Sequence, residues 1–441
     1  MISHRNISLL RLLIAVWALI GIDPALAMQS SMFNALFGTP GWVLPGAAID
    51  MNFAGGQYWG AQPGQLIVSR GSSESEVCNG ALYAFAPNVA PITPCGIWSW
   101  ESRTNLFLNS TAPVTQNITT VVGSTYTVSF YGTGTLTLSG AATQTMTGSA
   151  FPARTTYSFT ASTTSLGVTV TSLLAMNYVQ VELNPNLFAS VASAATASSG
   201  SGGVNGTAVY TVTGGTCTTQ PTLNVTWTSG ALTVNSVANG GSCSVLPPSP
   251  ATLTYASGTA TGWTGATVNL TPTNNAASAF ATGPILTSGS AATRAQSIVS
   301  KAFPWSGPLS EYVIATPQTP ILPSTNQFFV DVNDGTNANR LTLYRALVSG
   351  QPQTASVTGG NSSVIFNVAP WAQYTQGRFA SYLAGTSLTG SFNGAATTTG
   401  SQANGVPQIK YLDIGQQFNT LFPCNCVIAR VAIGHQSFVG R

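Results

Sequence analysis

The chain has 441 residues, a length that suits two to four domains, and carries 13 lysines and arginines against 10 acids. Charged residues are only 5% of it and apolar residues 44%, which excludes disorder driven by charge. With neither a basic patch nor an acidic run, composition argues against nucleic acid as a partner. A surface built from hydroxyls and amides suits extracellular fibres and virion parts.

Residues 1–27 read as a secretory signal peptide. His4, Arg5 and Arg11 precede and enter an apolar run from Leu12 to Ile22, and Ala25-Leu26-Ala27 follows. The run is long enough for a signal and too short to span a bilayer. The expectation is an exported protein that begins at Met28; the alternative is a leaderless product starting at Met28 or Met32. Residues 28–104 read as an irregular N-terminal segment.

After residue 45 helical periodicity is almost absent, and short runs of Thr, Val and Ser with period two take its place, broken by Gly, Asn and Pro. This alternation predicts half-buried strands. In residues 105–189 the runs are Tyr126–Phe130, Gly134–Leu138, Gly167–Val170 and Tyr178–Glu182. Residues 190–203, rich in Ala, Ser and Gly, read as a linker. Residues 204–278 form a second β module, with Tyr210–Val212, Thr222–Thr226, Leu232–Val234 and Ala266–Leu270. Residues 279–441 form a third, with Gln327–Val332, Arg340–Tyr344, Ser363–Asn367, Gly377–Tyr382 and Val427–Val431. The fold class is all-β: several β-sandwiches of jelly-roll type, with one small inserted β module.

The six cysteines fall as three couples close in sequence. An even count in an exported chain favours disulfides, and the spacing pairs Cys217 with Cys243 and Cys78 with Cys95. Cys424 and Cys426 would close a strained ring, so their pairing stays open. Zinc is disfavoured, because His4 and His435 are the only histidines.

Certain motifs, taken in order, resemble a family of phage and prophage tail proteins. Trp100-Glu101-Ser102-Arg103-Thr104-Asn105-Leu106 with Asn109-Ser110 looks like its E-x-R-T-N-L-x-x-N-S junction. Val68–Ser72 and Asn79-Gly80 resemble its lead-in, and Tyr126–Gly134 its galactose-binding-like sandwich. Val179-Gln180-Val181-Glu182 matches its aliphatic-Gln-aliphatic-Glu strand. Phe280-Ala281-Thr282-Gly283-Pro284-Ile285 and Thr293-Arg294-Ala295 match the segments that follow there. In this chain nearly a hundred residues separate those two halves. The intervening piece, with Gly214-Gly215-Thr216, Val237–Ser242 and Leu246-Pro247, resembles a small β module of phage structural proteins and reads as an insertion in a loop. Asp334–Thr336, Asn339–Leu341, Ser391–Gly394 and Leu412–Gly415 resemble a concanavalin-like (laminin-G-like) sandwich. The resemblance implies virion or tail association and glycan contact; it does not imply a catalytic site.

Each constellation that could carry chemistry has a plainer reading. Asp331-x-Asn333-Asp334-Gly335-x-Asn337 offers calcium-like oxygens without the bidentate glutamate of an EF-hand, and reads as a hairpin turn. Glycoside hydrolysis needs two positioned carboxylates. Asp50, Glu74, Glu76, Glu101, Glu182, Glu311, Asp331, Asp334 and Asp413 form no E-x-D-x-x-E set. No Gly-x-Ser-x-Gly elbow accompanies His435. Trp98, Trp100, Trp227, Trp263, Trp305, Trp371 and Tyr374 could stack on sugars, or serve as core. Trp371 and Tyr374, in a polar segment after Pro370, are the ligand-contact candidates.

The expectation is a non-catalytic structural and adhesive protein of a phage tail or tail-like particle, secreted or on a virion surface. It would need no cofactor or metal. Its partners would be cell-surface glycan, other particle subunits and further copies of itself. The alternatives are a secreted bacterial glycan-binding protein built from phage-derived modules, and a polysaccharide-degrading enzyme.

Overall fold

The computed structural model describes residues 40–173, 175–184, 190–273, 276–322, 325–366, 369–395, 398–418 and 423–441. The expected signal at 1–27 and the start at Met28 lie outside them. The described residues are nearly all β, with two three-residue 3-10 turns and no α-helix. None of their helices is long and apolar enough to cross a membrane.

The first sandwich packs a five-stranded sheet on a four-stranded one. The five strands, in order across the sheet, are Arg154–Thr160, Thr125–Tyr131, Asn177–Leu183, Arg103–Asn105 and Ala292–Arg294. The four are Gln144–Gly148, Gly134–Gly140, Ser165–Leu173 and Gln116–Thr119. Alternation places Val128, Phe130, Leu136, Leu138, Val168, Val179 and Val181 between them.

The inserted module has a two-stranded sheet, Thr216–Thr219 with Ser242–Val245, and a six-stranded one: Val191–Ser201, Thr264–Pro272, Ala251–Gly258, Gly206–Thr213, Thr222–Thr228, Ala231–Asn239. The six-stranded sheet curls until its edge strands meet. Thr196 Oγ1 donates to the Leu232 carbonyl at 2.9 Å, and Ser199 Oγ accepts from Leu232 N at 2.9 Å. Trp227 fills the interior with Tyr210. The Ala/Ser/Gly stretch 190–203, read as a linker, is largely the first strand of this sheet, paired from Val191↔Pro272 to Ser201↔Thr264. Its mostly exposed edge position needs little apolar alternation, so composition alone pointed to a linker.

The third unit packs a seven-stranded sheet on a nine-stranded one around Val313, Phe329, Val332, Leu343, Phe379 and Ile428. Here the reading of 28–104 as irregular is corrected for its described part. Ala47–Asn52 pairs with Cys426–Gly434, and Gly96–Ser99 pairs with the start of the same strand. Ile67–Ser69 pairs with Ile298–Ser300. Ile49, Met51 and Phe53 enter the core, and Asp50 binds Arg430, whose Nε donates to Oδ1 at 2.8 Å. These strands are three to six residues long and find their partners hundreds of positions away in the chain.

The E-x-R-T-N-L junction holds the units together with buried hydrogen bonds. Asn105 Nδ2 donates to the carbonyls of Val179 (3.0 Å) and Ile285 (2.9 Å), and its Oδ1 accepts from Val181 N at 3.0 Å. Arg103 is bound to Glu101 and donates to the Leu183 carbonyl at 2.7 Å. Glu101 N donates to Asn425 Oδ1 at 2.7 Å. Residues 280–294 therefore dock on the first sandwich before the chain enters the third unit. Disulfides join Cys78 to Cys95, Cys217 to Cys243 and Cys424 to Cys426.

Candidate functional site

An Asn79-Gly80 turn, both residues with positive φ, closes the hairpin of Glu74–Cys78 with Ala81–Phe85. The Cys78–Cys95 bridge ties this hairpin to the segment that carries Trp98 and Trp100. Hairpin, tryptophans and the first sandwich enclose a cleft of about 570 Å³, with Tyr374 from the third unit on its rim. That volume lies within the range of small-molecule sites.

Trp98 and Trp100 stack at 5.9 Å and are nearly buried. Trp98 Nε1 donates to Thr93 Oγ1 at 2.9 Å, and Trp100 Nε1 donates to Glu76 Oε1 at 2.7 Å. Arg294 lies over the Trp100 ring at 5.5 Å and donates to the Gly283 carbonyl at 3.0 Å. Glu76 is 1% exposed. Burial holds its carboxyl well above the usual range, and the neighbouring Glu74 carboxyl adds to this against the pull of Arg294. Glu74 itself binds Arg70 at 2.6 Å and accepts from Ser297 Oγ at 2.7 Å. Among the described residues that line the cleft, Glu76 is the one carboxylic acid.

One wall comes from cross-strand pairing in the first sandwich. Register sets Tyr131 opposite Arg154, on the face away from the core. The Arg154 guanidinium lies 5.1 Å from the Tyr131 ring centre, and Phe151 and Tyr178 surround that ring. Arg154 donates to the Thr282 carbonyl at 2.5 Å and to Ser129 Oγ at 2.8 Å; among the described residues its buried Nε has no partner. Burial pushes the Tyr131 phenol up.

The two ligand-contact candidates have different fates. Tyr374 is 66% exposed, with its backbone at φ 56°. A bulky side chain in that left-handed region is strained, and such strain gathers at ligand clamps. Trp371 is corrected from platform to core: it is 1% exposed, its ring 4.4 Å from Phe329 and 4.9 Å from Phe392. Its Nε1 donates to the Thr375 carbonyl at 2.8 Å, while Gln373 Nε2 and Tyr374 N donate to Gln318 and Pro317. Trp371 thus anchors the loop that presents Tyr374. Trp227 is core, and Trp263 and Trp305 are half-buried. Sequence reading missed Arg154 and Tyr131 as contributors, because only the strand register brings them together.

Two other regions hold cavities or acids. A groove of about 1140 Å³ between the first sandwich and the inserted module is lined by residues such as Val121, Tyr157, Leu246 and Pro248, with no charged side chain. In the third unit, Asn333 Nδ2 donates to Asp413 Oδ2 at 2.7 Å, and Phe418 N donates to Asp331 Oδ2 at 2.8 Å. Burial pushes Asp331 up to about 7 and Asp413 up to about 6. Asp334 closes a turn, accepting from Thr336 N and Asn339 Nδ2 at 2.8 Å each.

No protein-family model matches the chain, and no curated protein matches it. Among solved structures, the chain is similar to the Ruminococcus gnavus IT-sialidase CBM40 bound to α2,3-sialyllactose. That match has 14% identity and a TM-score of 0.26, and covers 30% of this chain and 77% of that one. It is also similar to the NanB sialidase from Streptococcus pneumoniae, at 9% identity and a TM-score of 0.26, over 30% of this chain and 23% of the sialidase. A third is the SAP-like pentraxin from Limulus polyphemus, at 9% identity and a TM-score of 0.25, over 32% and 69%. Likeness at this level carries no conclusion about ligand or activity.

Proposed function

We propose that the chain is a non-catalytic, glycan-contacting structural and adhesive protein of a phage tail or tail-like particle. The observation that carries the glycan half is Tyr374: an exposed ring on strained backbone, anchored by buried Trp371, at the rim of a cleft walled by Tyr131 and Arg154. A phenol face and planar nitrogen donors are what sugar rings and hydroxyls need. The tail half is supported by the E-x-R-T-N-L motif, whose side chains join the units. Three disulfides fit an oxidising compartment. Weak single sites would gain useful attachment from several copies.

One observation favours hydrolysis as a second reading. Glu76 is held towards its protonated form beside the cleft, as a general acid would be. The described lining offers no second carboxylate across the gap, which hydrolysis by two acids requires. A glycan array and a reducing-end assay on one preparation test both. Binding without release of reducing ends is expected. Release that Glu76→Gln abolishes would replace the first reading with the second.

A further inference from the structure

Resting on the glycan reading above, we infer that the cleft takes an acidic sugar, with Arg154 pairing with the saccharide's carboxylate. A guanidinium has five N–H donors in a planar fork matched to a carboxylate. Two of the Arg154 donors go to Thr282 and Ser129, both neutral acceptors. Each terminal nitrogen makes one of these bonds and has a second N–H to offer a ligand, and among the described residues no carboxylate lies within ion-pair distance of the guanidinium. The other acids nearby are already engaged. Glu182, on the same face of the sheet, accepts from Thr282 N at 3.1 Å and from Gln180 Nε2 at 3.2 Å. Glu76 accepts from Trp100 and is held towards its neutral form.

Arg154 is therefore the one basic side chain among the described residues that line the cleft, with no carboxylate paired to it, in a chain where charged residues are only 5%. The Tyr131 ring beneath holds the guanidinium plane in place before any ligand arrives. A neutral sugar would leave that cation without a counter-charge, whereas a carboxylate would supply charge-assisted hydrogen bonds.

The experiment measures binding of the full chain to immobilised polygalacturonate and polysialate, each beside the same polymer with its carboxyls reduced to alcohols. The wild type is expected to bind the acidic forms more tightly. Arg154→Gln should lose roughly tenfold to a hundredfold in affinity for them and far less for the reduced forms, so that the acidic-to-reduced ratio falls towards one. Arg154→Lys should recover part of the loss. Raising salt from 50 to 500 mM should weaken only the acidic binding. If Arg154→Gln does not fold, the acidic-to-reduced ratio and the salt response of the wild type decide alone. Equal binding to both forms, lost in Tyr374→Ala, would overturn the acidic preference and leave the glycan reading standing. Binding to no acidic, reduced or neutral polymer by the assembled protein would bring down both.

Discussion

Glu182 accepts the backbone N–H of Thr282 at 3.1 Å, across one hundred residues of chain, and also binds the Thr282 hydroxyl. The pair closes the joint that the inserted module opens in the sequence. Around it, Gln180 binds Ile285 N, and Ser110 and Thr287 exchange bonds of 2.8 and 2.9 Å. The motif residues on either side of the insertion thus meet as one hydrogen-bonded surface.

Glu182→Leu would leave the Thr282 amide buried without an acceptor, and would leave the Thr282 hydroxyl and the Gln180 amide only their longer bonds, to the carbonyls of Gly283 (3.5 Å) and Thr282 (3.4 Å). At about 1–3 kcal/mol for the orphaned donor, and less for each weakened one, a loss of roughly 2 kcal/mol or more is expected. Urea unfolding of the two proteins measures it; a change below about 1 kcal/mol would show that the joint adds little.

Excision of the module tests the same architecture. Its two ends lie together, since Thr273 N donates to the Ser190 carbonyl at 2.7 Å. Its core, with Trp227 and Tyr210, is separate from that of the first sandwich. Joining Ser190 to Thr273 through a short Gly-Ser bridge should leave cooperative unfolding and the Cys78–Cys95 disulfide intact. A molten product, by near-ultraviolet circular dichroism, would mean that the module is needed for the rest to fold.

Trp371 and Tyr374 should separate stability from binding. Trp371→Ala removes a buried indole and should cost about 3–5 kcal/mol. Tyr374→Gly relieves a left-handed backbone at an exposed position and should stabilise the chain by about 0.5–1 kcal/mol while weakening glycan binding. Thermal melts and an array of the two variants check the opposite signs.

Stability should fall as pH rises. Asp331 titrates near 7 in the folded chain and near 3.8 unfolded, so between these values the folded state binds the extra proton. Its contribution is fully present below about pH 4 and lost by about pH 7, of order 4 kcal/mol across the window. Asp413, pushed to about 6, acts in the same direction. Asp331→Asn keeps an acceptor for Phe418 N and should flatten much of the slope between urea midpoints at pH 4.5 and 7.5. An unchanged slope would place its origin elsewhere.

Much of the strand pattern was legible in the sequence, because alternation survives wherever one face is buried. Tyr126–Phe130 lies within the strand Thr125–Tyr131, and Gln327–Val332 within Gln327–Asn333. Ala47–Asn52 was not legible: it is short, and its partner strand lies at the far end of the chain. The strand at 191–201 was hidden by a composition that edge strands tolerate. Of the site, Tyr374 was legible as an aromatic in a polar loop. Trp371 had the same local signal, and only packing against Phe329 separates the two. Arg154 and Tyr131 are 23 positions apart and meet only through strand register, which no local pattern announces.

The cleft beneath Tyr374 is proposed to bind sugar without cleaving it. The most direct measurement is a saturation-transfer titration of host-surface oligosaccharides with the wild type and Tyr374→Ala, with the sugar recovered and sized afterwards. Transfer to the sugar is expected in the wild type and not in Tyr374→Ala, with the recovered oligosaccharide of unchanged length. Equal transfer in both proteins, or shortened sugar, would contradict it.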